Sequence, residues 1–452
     1  MWFLNKNSAA LVASLIVGSA LSVPGFAQDD PGGPILITNV NVFDGINEEL
    51  IENATVVIDG NLISEISTED LAVAGARVID GGGRTMIPGL IDAHWHTMLS
   101  FWPVGKVLSS DIVTLSFAAA NEHEKTLLRG FTTVRDAGGA AIPIARAVDA
   151  GLIDGPRMYP SGPVIGQTAG HGDWRNPLNI PEEKDQPLDY QQRSGQTLIA
   201  DGVPEVMKRT REVLRMGASQ VKAMAGGGVN SLYDPIDVTQ YTFEEAKALC
   251  DVAATWNTYV MIHANTDAAI RQWVEAGAKS VEHGFFIEDE TARLMAEKGV
   301  WWSMQAMEAT GEDAFVFDNE ASNKKFVELV AGIDKVIELS KKHGVNIAWG
   351  SDLQFDPTLL PKQGKFLAKL SKWFTPYEAL KIATHDNATL LKMSGPRDPY
   401  PDGDLGVITV GAYADLILVD GNPLDDLDLV ADPDENFDLI MKDGVIYKNE
   451  IE

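Results

Sequence analysis

The stretch Pro88-Gly89-Leu90-Ile91-Asp92-Ala93-His94-Trp95-His96 joins an apolar run to two histidines. A turn-forming Pro-Gly pair opens it, so the run predicts a strand over Leu90–His96. Residues two apart on a strand share a face, which sends both imidazoles one way and Trp95 the other. A His-x-His pair is weak evidence by itself. Its position at a strand end strengthens it, because barrel enzymes gather their chemistry at the C-terminal ends of their strands.

Working outward, the same kind of run recurs seven times. Strands are predicted over Thr132–Asp136, Arg157–Ser161, Gln220–Met224, Tyr259–His263, Ser280–His283, Trp301–Gln305 and Asn346–Gly350. Helical stretches lie between them, among them Thr242–Trp256, Thr266–Ala276, Ile287–Lys298 and Lys324–His343. Eight alternations favour an α/β protein with a (β/α)8 TIM barrel, here over residues 85–396, rather than an open doubly wound sheet. The two ends have another texture. Pro34–Val42, Ala54–Ile58 and Leu62–Ile66, with Asp59-Gly60-Asn61 as a hairpin turn, match Gly406–Val410, Asp415–Val419, Leu439–Lys442 and Gly444–Tyr447. Segments 28–84 and 397–452 are therefore expected to build one small β-sandwich domain. The longest irregular stretch, Gly162 to Gly202, follows the third strand, and loops of that length usually carry function.

Four more polar residues fall at predicted strand ends: Lys222, His263, His283 and Asp352. Any one of them could simply cap a strand. Together with His94 and His96 they would converge on one rim, and four of the chain's eight histidines belong to the set. Neutral imidazoles ligate zinc and similar divalent ions. A lysine inside an apolar strand is costly to bury as an unpaired cation. As a neutral amine it can take up carbon dioxide and become a carbamate able to bridge two metals. Two cations side by side lower the pKa of a shared water towards neutrality.

In this order the motifs Gly89-Leu-Ile-Asp-Ala-His-Trp-His96, Val221-Lys222, His263, Val281-Glu-His-Gly284 and Gly350-Ser-Asp352 resemble the amidohydrolase superfamily. The likeness is to its prolidase-like dipeptidases, ochratoxin-hydrolysing amidohydrolases and imidazolonepropionase-like proteins, and it runs from about Ile35 to Tyr447. It implies His94 and His96 on one metal, His263 and His283 on the other, a carboxylated Lys222 between them, and Asp352 as ligand and acid/base. It also implies a terminal β-sandwich. Two divalent ions are expected, zinc first, with manganese or cobalt also suiting the donors. By the same likeness His171, in the long loop, binds substrate or polarises its carbonyl, and Tyr233, after Gly226-Gly-Gly228, meets a substrate carboxylate. His123, His343 and His385 read as surface, capping and structural residues.

The implied reaction is amide hydrolysis of a dipeptide or N-acyl amino acid with a free carboxylate, ochratoxin A included. Phe101, Trp102 and the Trp301-Trp302 pair are candidates for an aromatic wall beside it. The rival readings are a cyclic-amide hydrolase or deaminase of the same superfamily, and a periplasmic binding protein that keeps the barrel.

Composition sets the outer bounds. The 452 residues carry 65 acidic and 36 basic side chains, a formal charge of -29. Such a field repels phosphate backbones, which argues against nucleic acid as a partner. Met1–Asn7 with Lys6, the apolar Ser8–Val23 and the small residues before Ala27 follow the order of a secretory signal peptide. The run is short for a membrane span. An exported, periplasmic or secreted enzyme with no stable anchor after cleavage is expected, assembled as a homo-oligomer. The single cysteine, Cys250, permits no intrachain disulfide and reads as a core residue on a helix face.

Overall fold

The computed structural model describes residues 33–176, 178, 187–231, 234–317 and 319–451. The proposed leader at 1–27 and Tyr233 lie outside them. Among the described residues no helix is long and apolar enough to cross a membrane.

Each of the eight apolar runs is a strand: Leu90–Trp95, Phe131–Asp136, Arg157–Pro160, Val221–Met224, Val260–Thr266, Ser280–Phe286, Trp301–Met304 and Asn346–Trp349. They are the first to eighth barrel strands below, and neighbours in order pair in parallel within two sheets. One sheet holds the first three. The other holds the last five, extended by two short strands, Val164–Gly166 and Thr197–Ile199, from the long segment after the third strand.

The expectation of a barrel closed by one continuous ladder is not met. Between the third and fourth strands the link is a single backbone bond, Ser219 N–H to Pro160 C=O at 2.8 Å, plus Gln220 Nε2 donating to Tyr159 C=O at 2.8 Å. The third strand is four residues long and ends on a proline, which has no N–H for a ladder. Between the eighth and first strands Asp352 N–H donates to His94 C=O at 2.9 Å. There Asn387 Nδ2 also bridges Ile91 C=O and Trp349 C=O at 2.7 and 2.8 Å. Side chains complete what the ladder leaves open.

The helices follow their sequence signals. Phe243–Thr255 starts in a capping box, with Thr242 accepting from Glu245 N–H and Glu245 accepting from Thr242 N–H. The stretch expected as one helix to His343 is two, Glu320–Val330 and Ile333–His343. They part at Gly332, where a Cβ would stand 2.1 Å from Phe285 C=O. His123 is not a surface residue. The buried face of helix Ile112–Leu128 runs Leu115, Ala119, Glu122, His123 and Thr126, and burial pushes the His123 pKa down to about 3. Cys250 is buried on its helix as expected.

Both termini enter one mixed eight-stranded sheet, ordered Val445–Asn449, Phe437–Lys442, Leu416–Val419, Thr85–Pro88, Ile35–Val42, Ile51–Asp59 and Leu62–Ser67, with Arg77–Asp80 also pairing Ile35–Val42. Hydrogen bonds join these strands in one sheet, in which Ile35–Val42 pairs with Arg77–Asp80 at its start and with Thr85–Pro88 at its end. Gly406–Val410 is not a strand, while Arg77–Asp80 and Thr85–Pro88 add two short strands that composition did not signal. The sheet has its own apolar cluster around Ile37, Val56, Leu416 and Leu439.

Candidate active site

His94 and His96 leave the end of the first strand, and Trp95 packs into the outer core as alternation requires. The His94 ring is held at Nδ1 by Glu282 Oε2 at 2.7 Å. Its Nε2 lies 3.4 Å from Asp352 Oδ1, and His96 Nε2 lies 3.1 Å from the same oxygen. The donor atoms of His94, His96 and Asp352 all fall within 4.8 Å of one another.

On the sixth strand Glu282 and His283 are consecutive, yet both reach this cluster. A regular strand would send them to opposite faces. His283 has φ 72° and Gly284 φ 63°, so the backbone turns over at this point and aims the imidazole inward as well. His283 Nδ1 then sits 2.9 Å from Gln305 Oε1 and 3.8 Å from Asp352 Oδ2. Trp302 Nε1 donates to His283 C=O at 2.6 Å and braces the turn. Asp352 is also left-handed, with φ 50°. Such backbone strain concentrates where surrounding structure fixes a functional side chain.

Beneath the histidines Arg135 donates through Nη2 to both Glu282 oxygens at 2.9 Å and through Nε to Ala93 C=O at 2.6 Å. Burial alone would raise the Glu282 pKa, but Arg135 and the His94 bond hold it well below the usual carboxylate range. Burial works against charge on the rings: it pushes His94 down to about 3, His283 to about 4 and His263 well below its ordinary value. All three are neutral ligands in waiting at pH 7. Burial likewise lowers Lys222, which is 1% exposed, to about 8, so a neutral amine is accessible. For Asp352 burial is outweighed by the neighbouring histidines, and its carboxyl stays ionised.

His263 stacks on His171 with ring centroids 4.2 Å apart, and its Nε2 lies 3.2 Å from Gly227 C=O. His171 Nδ1 meets Asp234 Oδ2 at 3.0 Å, and Gly228 N–H donates to the same oxygen at 2.9 Å. Gly228 admits the ring, since a Cβ there would stand 2.0 Å from it.

A divalent cation fits these residues. His94 Nε2, which faces Asp352 and His96, is buried without a hydrogen-bond partner. His94, His263 and His283 each have one ring nitrogen against a protein acceptor, which fixes the ring and leaves the other nitrogen for a cation. His94, His96, His171, Lys222, His263, His283 and Asp352 all line one cavity of 260 Å³.

The same order of motifs matches the amidohydrolase family over residues 85–448. The chain belongs to that family. It is 31% identical to ochratoxinase of Aspergillus niger over 421 residues, covering 88% of this chain and 84% of that protein. Among solved structures it is similar to a prolidase complexed with N-methylphosphonate-L-proline, at 34% identity and a TM-score of 0.84, over 92% of this chain and all of the other. It is also similar to a Xaa-Pro dipeptidase with bound methionine, at 28% identity and a TM-score of 0.78 with the same coverage. These relatives place the chain in the prolidase-like branch and make it a hydrolytic enzyme acting on amide C–N bonds.

Sequence reasoning missed several residues of this amidohydrolase. Glu282, Arg135, Asp234 and Gln305 orient the histidines, and a charge inside an apolar strand was the available signal for the first two. The expected aromatic wall is also misplaced. Trp301 opens the seventh strand and therefore packs at the end of the barrel away from the site, with Tyr259 and Met261. Trp302 is fully buried behind His283, and Phe101 belongs to the outer core with Trp102 packed against it. None of the four lines the cavity.

Proposed function

We propose that the chain is a binuclear metal-dependent amidohydrolase cleaving the amide bond of dipeptides or N-acyl amino acids that carry a free carboxylate, ochratoxin A among them. The observation that carries this reading is the convergence of seven candidate residues, four on strands and three in the segments that follow the first, third and eighth strands, on one cavity. The ochratoxinase and dipeptidase relatives support the substrate class.

In this reading His94 and His96 hold one cation, His263 and His283 the other, and Lys222, carboxylated, lies between them, with Asp352 as a further ligand. When bound, the pair of divalent cations, zinc first, supplies an acidified water and polarises the scissile carbonyl. Asp352 receives the proton of the attacking water and passes it to the nitrogen as the C–N bond breaks. His171, its ring oriented by Asp234, faces the oxygen of the scissile carbonyl, a type of contact worth several kcal/mol in acyl transfer. Glu282 and Arg135 keep the His94 ring turned, and Tyr233 with the Gly226–Gly228 amides receives the carboxylate. An exported protein with a leader over 1–27, a barrel over 85–396, terminal segments 28–84 and 397–452, and a homo-oligomeric assembly complete the proposal.

A hydrolysis screen tests it. Dipeptides and N-acyl amino acids, ochratoxin A included, should be cleaved, and chelation should stop turnover until zinc, manganese or cobalt is restored. Turnover of cyclic amides or aminopurines in their place would favour the rival hydrolase or deaminase reading.

A further inference from the structure

Two chambers meet at the candidate active site. The larger, 260 Å³, has Lys222, Asp173, Arg175 and Ser231 among its walls. The smaller, 70 Å³, shares His171, Asn230, His263, His283, Asp352 and Gln354 with it, so the reacting groups stand at the waist between them. Beyond these shared residues the small chamber is walled by Phe285, Met307, Phe315, Phe317, Phe326 and Leu329, with Val229 and one polar side chain, Asn265, and no charged side chain belongs to it alone.

These walls are built rather than incidental. The turnover at His283 and Gly284 sets the Phe285 ring 6.3 Å from the His283 ring, nearly parallel to it. Phe326 packs against Phe315 at 5.7 Å and Phe317 at 5.4 Å. Phe326 and Leu329 lie on helix Glu320–Val330, which Ser322 Oγ fastens to Val229 C=O at 2.8 Å.

We propose that this phenylalanine-walled chamber receives the apolar side chain of the leaving, carboxylate-bearing residue, and that the larger chamber receives the acyl group. The inference rests on the amide-hydrolase reading above and adds to it the direction in which the substrate lies. Size decides the direction. A leaving amino acid presents one side chain, which suits the small chamber, whereas acyl groups range from an amino acid to a fused ring system. Polarity agrees: an aromatic or branched aliphatic group loses hydration readily on entry, while a carboxylate would find no cation on the walls the chamber has to itself, whose one polar side chain, Asn265, turns an acceptor oxygen without a partner. The carboxylate, one bond from the same Cα, then stays near Val229 and Asn230, which border the small chamber beside the glycine-rich loop.

The test is a matrix of kcat/KM values for N-acetyl-Phe, -Leu, -Ala and -Asp, each repeated with a bulky aroyl group in place of acetyl. N-acetyl-Phe should exceed N-acetyl-Asp by about a hundredfold or more, with the acyl group altering rates far less. Leu329→Phe, which narrows the chamber, should lower the Phe-to-Ala ratio about tenfold, and Phe326→Ala should move the optimum to larger side chains. Should either variant fail to fold, free L-phenylalanine should still inhibit the wild type competitively where L-aspartate does not. Hydrolysis without preference at the leaving residue, a strong preference at the acyl position instead, or equal inhibition by the two amino acids would overturn the proposal. Those outcomes leave the amide-hydrolase reading standing. Failure to cleave any N-acyl amino acid removes both.

Discussion

At the scale of single residues, Lys222 and Asp352 do opposite things with the same burial. Burial drives Lys222 towards its neutral amine, while the surrounding histidines keep Asp352 ionised against burial. Lys222→Ala should therefore lose both turnover and bound metal, with partial recovery when a short carboxylic acid is added; elemental analysis and activity on one preparation check this. A variant with normal metal content and normal turnover would remove Lys222 from the bridging position. Asp352→Asn should keep its metal, because four histidines and Lys222 remain, yet lose about 100- to 10,000-fold in kcat, since an amide cannot carry the proton. Near-native kcat would show that another group moves it. His94, His96, His263, His283 and Asp352 stand out in the sequence at or just beyond the ends of predicted strands, and Lys222 as a charge inside one; the structure brings all six to one cavity. Glu282 was not legible, because alternation assigns it and His283 to opposite faces, and only the left-handed backbone at His283 brings both inside.

Helix Glu320–Val330 is the element on which the site's two halves depend. Its apolar face walls the small chamber, while Lys325 Nζ donates to Gly228, Ser231 and Asp234 carbonyls at 3.2, 3.0 and 3.1 Å. That clamp holds the loop whose Asp234 orients His171. Lys325→Met should lower kcat/KM about tenfold, of the order of 1.5 kcal/mol for bonds from a charged donor. Measured in a His171→Ala background the same change should cost little more, because both act through one ring. Full additivity would mean the clamp works elsewhere. The strands on which such elements hang were readable from apolar runs, since a parallel strand buried on both faces has little choice of residue. The need for glycine at 332 was not, because it comes from a distant carbonyl, that of Phe285, which leaves no room for a side chain.

Across the whole molecule, Arg157 joins the barrel to the terminal sheet. It sits on the third barrel strand, and its guanidinium reaches Asp415 at 3.2 Å and Asp443 at 2.7 Å, two residues beside strands of that sheet. The Tyr413 ring lies 4.0 Å beneath the cation. Burial disfavours the charge, but the two carboxylates more than offset it and hold the Arg157 pKa above its ordinary value. None of this was visible beforehand, since Arg157 and Asp415 are separated by most of the chain and each reads locally as a polar residue at the edge of an apolar run. The short third strand is tied further to the segment leading into that sheet, by Met158 N–H donating to Tyr400 Oη at 3.0 Å and Tyr159 Oη donating to Asp398 Oδ1 at 2.7 Å. Arg157→Met should destabilise the protein by about 3–5 kcal/mol, chiefly by leaving Asp415 buried beside Asp443 with Lys442 as the remaining neighbouring cation. In Arg157→Met/Asp415→Asn, where one carboxylate is gone and Lys442 remains as the cation facing Asp443, a substantial part should return. Denaturant midpoints for the three proteins, followed by tryptophan fluorescence and far-ultraviolet circular dichroism together, give the comparison. If the double variant is no more stable than the single one, the cost lies in lost packing over Tyr413 instead of in the stranded carboxylate.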